Sequence, residues 1–130
     1  MSKAGPDSLP NASAEKRMRF PRGMRLLRHK DFELVYKRGK RHFTANMTLF
    51  YLRRADTEGA RFGFTLPKFL GGAVERNRIK RRLREAVRLH ARMIAPVDIV
   101  INPKKSALRV RFAELESDIQ SAMEIIGKAA

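Results

Sequence analysis

The chain has 130 residues, with 29 Lys and Arg against 13 Asp and Glu, a formal net charge of +16. A hydrophobic share of 43% suffices for the core of one ordinary domain and excludes a wholly disordered basic tail. No apolar run approaches the length of a membrane span, the N-terminus lacks the apolar stretch of a secretory signal, and the absence of Cys excludes disulfides and thiolate sites.

Residues 1–16 contain two Pro, small polar residues and a single Leu, too little apolar area to offset ordering, and read as a flexible tail. The domain is expected over 17–130. Residues 17–28 mix basic and apolar side chains around Pro21 and Gly23, which argues for an extended, partly docked arm. Residues 30–38 place Phe32, Val35 and Tyr36 at helical spacing, and Gly39 suits a left-handed position just past the helix end. Residues 41–54 are rich in aromatic and β-branched types and predict one long bent strand or two consecutive ones.

The alternation of Phe62, Phe64 and Leu66 with Arg61, Gly63 and Thr65 predicts a half-buried strand ended by Pro67. After Gly71-Gly72, which free a tight loop, residues 73–94 predict the longest helix. At roughly 100° per residue, Ile79, Leu83, Ala86, Val87, His90 and Ile94 share one arc, while Arg78, Lys80, Arg81, Arg82, Arg84 and Arg88 fill the remaining circumference. Pro96 stops it. The run 97–101 predicts a buried strand ended by Asn102-Pro103. Residues 113–126 predict a last helix with Leu115, Ile119, Ala122 and Ile126 on one face and Glu114, Glu116 and Asp118 in its first turns. This order implies an α+β sandwich, one sheet with helices packed on it.

The charge is uneven. Residues 1–41 carry 12 basic and 4 acidic side chains, residues 42–74 carry 4 and 2, residues 75–92 carry 8 and 2, and residues 93–130 carry 5 of each. Concentration into two blocks reads as a binding surface, for nucleic acid first and for anionic membranes or acidic proteins after it. The densest stretch runs from Glu75 to Glu85. A merely solvated face would alternate sign to gain i,i+4 pairs, and here only Glu75 and Glu85 oppose the cations, so a polyanion is favoured. Arg offers phosphate a bidentate fork. Asn77 could bond a sugar or phosphate, or merely stand near the helix start.

Phe32, Tyr36, Phe43, Phe50 and Tyr51 could stack unpaired bases beside such a surface. Core packing is the better reading for most of the Phe; Tyr36 is the exception, since its hydroxyl needs a partner and Lys37 and Arg38 follow it. His29, His42 and His90 are dispersed, with His90 on the apolar arc. Asp31, Glu33 and Asp98 could touch a metal ion, but isolated carboxylates usually do not. No nucleophilic or metal-hydrolase motif is present in the sequence.

Four segments in order, FPRGMRLLRHKDFELVYKRG, the aromatic strand block, RFGFTLPK and GGAVERNRIKRRLREAVRLH, followed by VDIVI, resemble the bacterial ribonuclease P protein family from about Phe20 to Ile126. Arg76-Asn77-Arg78 with Lys80, Arg81 and Arg84-Glu85 resembles that family's RNR signature. The resemblance implies an α-β-β-β-α-β-α sandwich, a four-stranded sheet with three helices and a left-handed βαβ crossover, like the second domain of ribosomal protein S5. It implies a non-catalytic protein subunit that joins a catalytic RNA, one to one, and assists 5′ maturation of precursor tRNA, with Mg2+ held mainly by the RNA. Cytoplasmic location follows from it, with no membrane or small-molecule partner. Lys68, Arg76, Asn77, Arg78, Lys80, Arg81, Arg82 and Arg84 are then the expected contacts to the RNA, and Phe32, Tyr36 and Phe50 the expected cleft for the single-stranded 5′ leader. The family's paired lysines are replaced here by Lys68-Phe69, so one phosphate contact is not carried over. On the residues alone the rivals are a structural ribosomal protein threading rRNA, a DNA-binding regulator with 76–92 as its recognition helix, and a protein-only nuclease.

Overall fold

The computed structural model describes Arg25, Leu26 and residues 28–55, 59–90 and 96–129. The expected tail (1–16), most of the arm (17–28) and the end of the helix proposed for 73–94 lie outside these residues. The elements in chain order are α1 (His29–Arg38), β1 (Lys40–Phe43), β2 (Met47–Arg53), β3 (Arg61–Phe64), α2 (Ala73–His90), β4 (Val97–Pro103) and α3 (Phe112–Ala129). Short 3-10 turns at Lys68–Leu70 and Lys105–Leu108, which no periodicity announces, precede α2 and α3.

The sheet order is β1-β2-β4-β3, with β3 parallel to β4 and the other pairs antiparallel. The aromatic block thus forms two strands, broken where the Thr44 hydroxyl accepts the Asn46 and Met47 amide N–H groups. Three layers result. On one side of the sheet Met47, Leu49, Phe62, Ile99 and Ile101 pack against Ile79, Leu83, Ala86 and Val87 of α2 and Leu115, Ile119, Ala122, Met123 and Ile126 of α3. On the other side Val100, with Phe50 and Leu52, packs against Val35 and Phe32 of α1 and against Leu26. Both faces of the central strand β4 are therefore covered, which is why 97–101 reads as an unbroken apolar run.

Several expectations are corrected. Gly39 is extended (φ −77°), not left-handed; a Cβ there would meet Val35 O and lie 2.6 Å from Tyr51 O, so close backbone approach is what excludes a side chain. β3 is not half exposed, because Gly63 is buried beneath Phe32. β4 continues through Asn102 and Pro103, where Thr48 and Met47 pair with them. The Arg25–Leu26 end of the arm docks as expected: Arg25 bridges to Phe62 in parallel sense and the Leu26 N–H donates to Phe62 O at 2.8 Å.

The long helix starts where Gly71 adopts φ +139° and the Gly72 N–H donates to Glu75 Oε1 at 3.3 Å. Near the start of the central strand β4, Asp98, 5% exposed, accepts from Arg54 Nη1 at 2.8 Å and from Arg61 Nε and Nη2 at 2.8 and 2.7 Å. It is a buried counter-ion to two guanidinium groups, so its role is structural. No described helix is long and apolar enough to cross a membrane.

Candidate nucleic-acid interface

The buried stripe of α2 is centred between Ile79 and Leu83, and its cations divide around it into two flanks and a crest. Arg76, Lys80 and Arg84 succeed one another every four residues on one flank; Arg78 and Arg82 lie on the other, with Glu75; Asn77, Arg81 and Arg88 form the crest. Burial cuts across this division. Asn77, Arg78 and Arg81 are exposed, whereas Arg76, Lys80, Arg82, Arg84 and Arg88 are partly buried. Of the six cations expected to fill the outer circumference, only Arg78 and Arg81 are exposed, and the reason is what packs beside the others.

On the first flank, Arg76 Nη1 reaches Leu66 O at 3.5 Å. Lys80 and Arg84 line a half-open pocket of about 140 Å3 with Arg25, Leu26, Phe32, Phe62, Gly63 and Phe64. Burial lowers the Lys80 ammonium below the ordinary lysine range, and the charges of Arg84 and Arg25 lower it further. Burial and then Arg25 act the same way on Arg84. Arg84 Nε is buried and has no acceptor among the described residues. Three like charges beside aromatic walls make a place where an anion relieves repulsion. Arg25 belongs to this cluster; in the sequence it lies within the basic arm and is not singled out.

On the second flank, Arg82 Nη2 donates to Val110 O at 2.6 Å and fastens α2 to the turn before α3. On the crest, Arg88 Nη2 and Nε donate to Glu85 at 2.6 and 3.0 Å. That pairing holds the Glu85 carboxyl below its usual range and raises Arg88. Arg88 is therefore already neutralised, and the open positive crest ends at Arg81.

The aromatic residues separate by face. Tyr51 joins the α2–α3 side, while Phe50 lies on the α1 side. Tyr36, 39% exposed, meets Phe50 edge-on with ring centroids 4.8 Å apart. Its hydroxyl donates to Asn102 Oδ1 at 3.1 Å and shares a 2.8 Å bond with the Thr65 hydroxyl. The expected partner for that hydroxyl is thus the sheet itself. Phe43 is 62% exposed and stands opposite Thr48, on the same face as Phe50; the reading of Phe43 as core is corrected. Phe32 lies one turn before Tyr36 on α1, covering Gly63 and facing Lys80 and Arg84 across the pocket. Lys68 is exposed on its 3-10 turn. The two constellations that look separate in the sequence, cleft and helix, thus meet at Gly63 on β3.

The family model described as Ribonuclease P matches residues 20–127. The chain belongs to the ribonuclease P protein family. It is 41% identical over 97 residues to the ribonuclease P protein component of Finegoldia magna, covering 74% of this chain and 84% of that protein. It is 37% identical over 108 residues to the component of Gluconacetobacter diazotrophicus, covering 82% and 93%. The solved RNase P protein from Thermotoga maritima has the same fold, with a TM-score of 0.72 at 27% identity over 78% of this chain and 96% of that one. Membership makes this a bacterial-type protein component of the tRNA-processing ribonucleoprotein ribonuclease P, an endoribonuclease whose RNA is its partner. The ribosomal-protein and DNA-regulator readings are set aside by the family.

Proposed function

We propose that this chain binds ribonuclease P RNA through α2 and the 5′ leader of precursor tRNA through the cleft between α1 and the sheet. The RNA contacts in this reading are Lys68, Arg76, Asn77, Arg78, Lys80, Arg81, Arg82 and Arg84; the leader contacts are Phe32, Tyr36 and Phe50. The observation that carries it is the junction at Gly63, where Phe32 faces Lys80 and Arg84 across one pocket. A single strand lying along α1 can set bases against rings and a phosphate against the cations.

Among the described residues no three His, Asp or Glu side chains converge as a metal-ligand set. The hydrolytic chemistry is assigned to the RNA subunit and its Mg2+; the protein, one copy per RNA, contributes charge and position.

The test is reconstitution with ribonuclease P RNA at low Mg2+, following leader release. The wild-type chain is expected to restore cleavage that the RNA alone loses. Tyr36→Ala should weaken leader-bearing precursor by about tenfold while leaving mature tRNA nearly unaffected, and Tyr36→Phe, which keeps the ring on Phe50, should retain most of the preference. Equal losses for precursor and mature tRNA would overturn the leader cleft.

A further inference from the structure

We propose that the groove between the two 3-10 turns, on the far flank of α2 from the leader cleft, receives a single unpaired nucleotide of the RNA subunit, its base stacked on Phe69. This deepens the proposed function and rests on it. Phe69 is 63% exposed, an unusual position for a phenyl ring on so polar a surface.

The ring cannot turn inward. Its neighbour Leu70 is 2% exposed and fills the space beneath the turn. The Leu70 N–H donates to Pro67 O and the Gly71 N–H to Lys68 O, both at 3.1 Å, so the backbone holds Phe69 outward. Rigid presentation lowers the entropic cost of using an aromatic side chain as a contact.

The groove beside it measures about 290 Å3 and is lined by Phe69, Leu70, Gly71, Glu75, Lys105, Leu108 and Arg109. That volume is near the lower limit, about 300 Å3, of clefts that hold small ligands, which suits one nucleotide and not a helix. Its charge selects the occupant. Lys105 and Arg109 are exposed at the rim, with Lys68 beside the ring. Against them stands Glu75, whose Oε1 accepts the Gly72 N–H. An aromatic platform with a surplus of cations fits a base and its phosphate better than an apolar protein surface.

The groove also adjoins the open part of α2. Glu75 and Arg78 are three residues apart and share a side of the helix, so the exposed Arg78 continues the positive rim toward Arg81. Leader lying across α1 is on the opposite flank, which leaves the RNA subunit as the strand that reaches Phe69.

The experiment measures binding of ribonuclease P RNA across a salt series for wild type, Phe69→Ala, Phe69→Trp, the double variant Lys105→Gln/Arg109→Gln, and Arg81→Ala. Phe69→Ala should weaken binding about tenfold without changing the salt slope, and Phe69→Trp should restore it. The double cation variant should weaken binding and flatten the slope. Affinity unchanged in Phe69→Ala, while Arg81→Ala still weakens binding, overturns the nucleotide site alone. Loss of RNA binding in none of the variants, Arg81→Ala included, overturns the proposed function itself. A change of self-association in Phe69→Ala with RNA affinity intact would make the ring a protein contact and likewise overturn the site.

Discussion

A Cβ at position 63 would collide with the ring of Phe32, with Cε2 at 2.7 Å and the ring tip closer still. Gly63 is therefore required by what lies over it, since no unusual φ is involved. Phe32 sits over the strand because the strand presents bare backbone, and the ring thereby walls the pocket shared with Lys80 and Arg84. Gly63→Ala forces the ring off β3 and should cost about 1–3 kcal/mol, as overpacking of a filled site does. If the clash with this one ring is the cause, Gly63→Ala should cost much less in a Phe32→Ala background, where the methyl fills vacated space. Urea unfolding of the four proteins checks this, and equal costs in both backgrounds would refute it.

At the level of elements, α2 shows what a linear sequence discloses and what it withholds. The spacing of Ile79, Leu83, Ala86 and Val87 predicts the buried stripe, and the structure buries all four. Spacing cannot sort the remaining cations, because their environments are made by distant segments: Phe32 and Arg25 on one flank, Val110 and the 105–108 turn on the other. The same limit explains Gly39, whose neighbour Tyr51 lies on another strand, and Phe43, which is exposed on an edge strand with no described layer over that end. The strand order is likewise out of reach of periodicity; the resemblance implies only the four-stranded sheet and its left-handed crossover, and the order β1-β2-β4-β3 is read from the structure. Lys80 tests the flank. Because burial, Arg84 and Arg25 lower its pKa, the folded state disfavours the charged form, which costs stability at neutral pH; that cost begins to fall as pH passes the lowered pKa and is gone above the ordinary lysine pKa. Lys80→Met keeps the packed stem and removes the charge. It should raise the unfolding free energy of the free protein at neutral pH, by at most about 0.5 kcal/mol after solvent screening, and lose that advantage at alkaline pH. The same variant should bind RNA more weakly. Stabilisation persisting unchanged at high pH would argue for packing and against charge repulsion.

Taken whole, the molecule places a helix layer on each side of one sheet and leaves the crest of α2 as its open basic surface, bounded by Glu85 paired to Arg88. A net charge of +16 alone would predict that any cation lost weakens RNA binding alike. The geometry predicts otherwise. Arg78 and Arg81 are exposed and make no ion pair among the described residues, so phosphates that meet them release counter-ions, and Arg78→Ala or Arg81→Ala should each reduce the slope of log K against log salt by about 0.7–0.9. Arg88→Ala removes the same formal charge but frees Glu85, whose two bonds from that guanidinium had neutralised it. Any slope change there should reflect the uncovered carboxylate and not a lost phosphate contact, so Glu85→Gln/Arg88→Ala should return the slope to the wild-type value. Arg82 offers a further contrast: its bond to Val110 O joins α2 to the start of α3, and Arg82→Ala should lower the unfolding free energy by about 1 kcal/mol or more as well as weaken binding. Titrating ribonuclease P RNA with these five proteins over a salt series separates the cases. Identical slope changes for Arg78→Ala, Arg81→Ala and Arg88→Ala, each of which removes one formal charge, would mean that total charge, and not the direction of the crest, governs assembly.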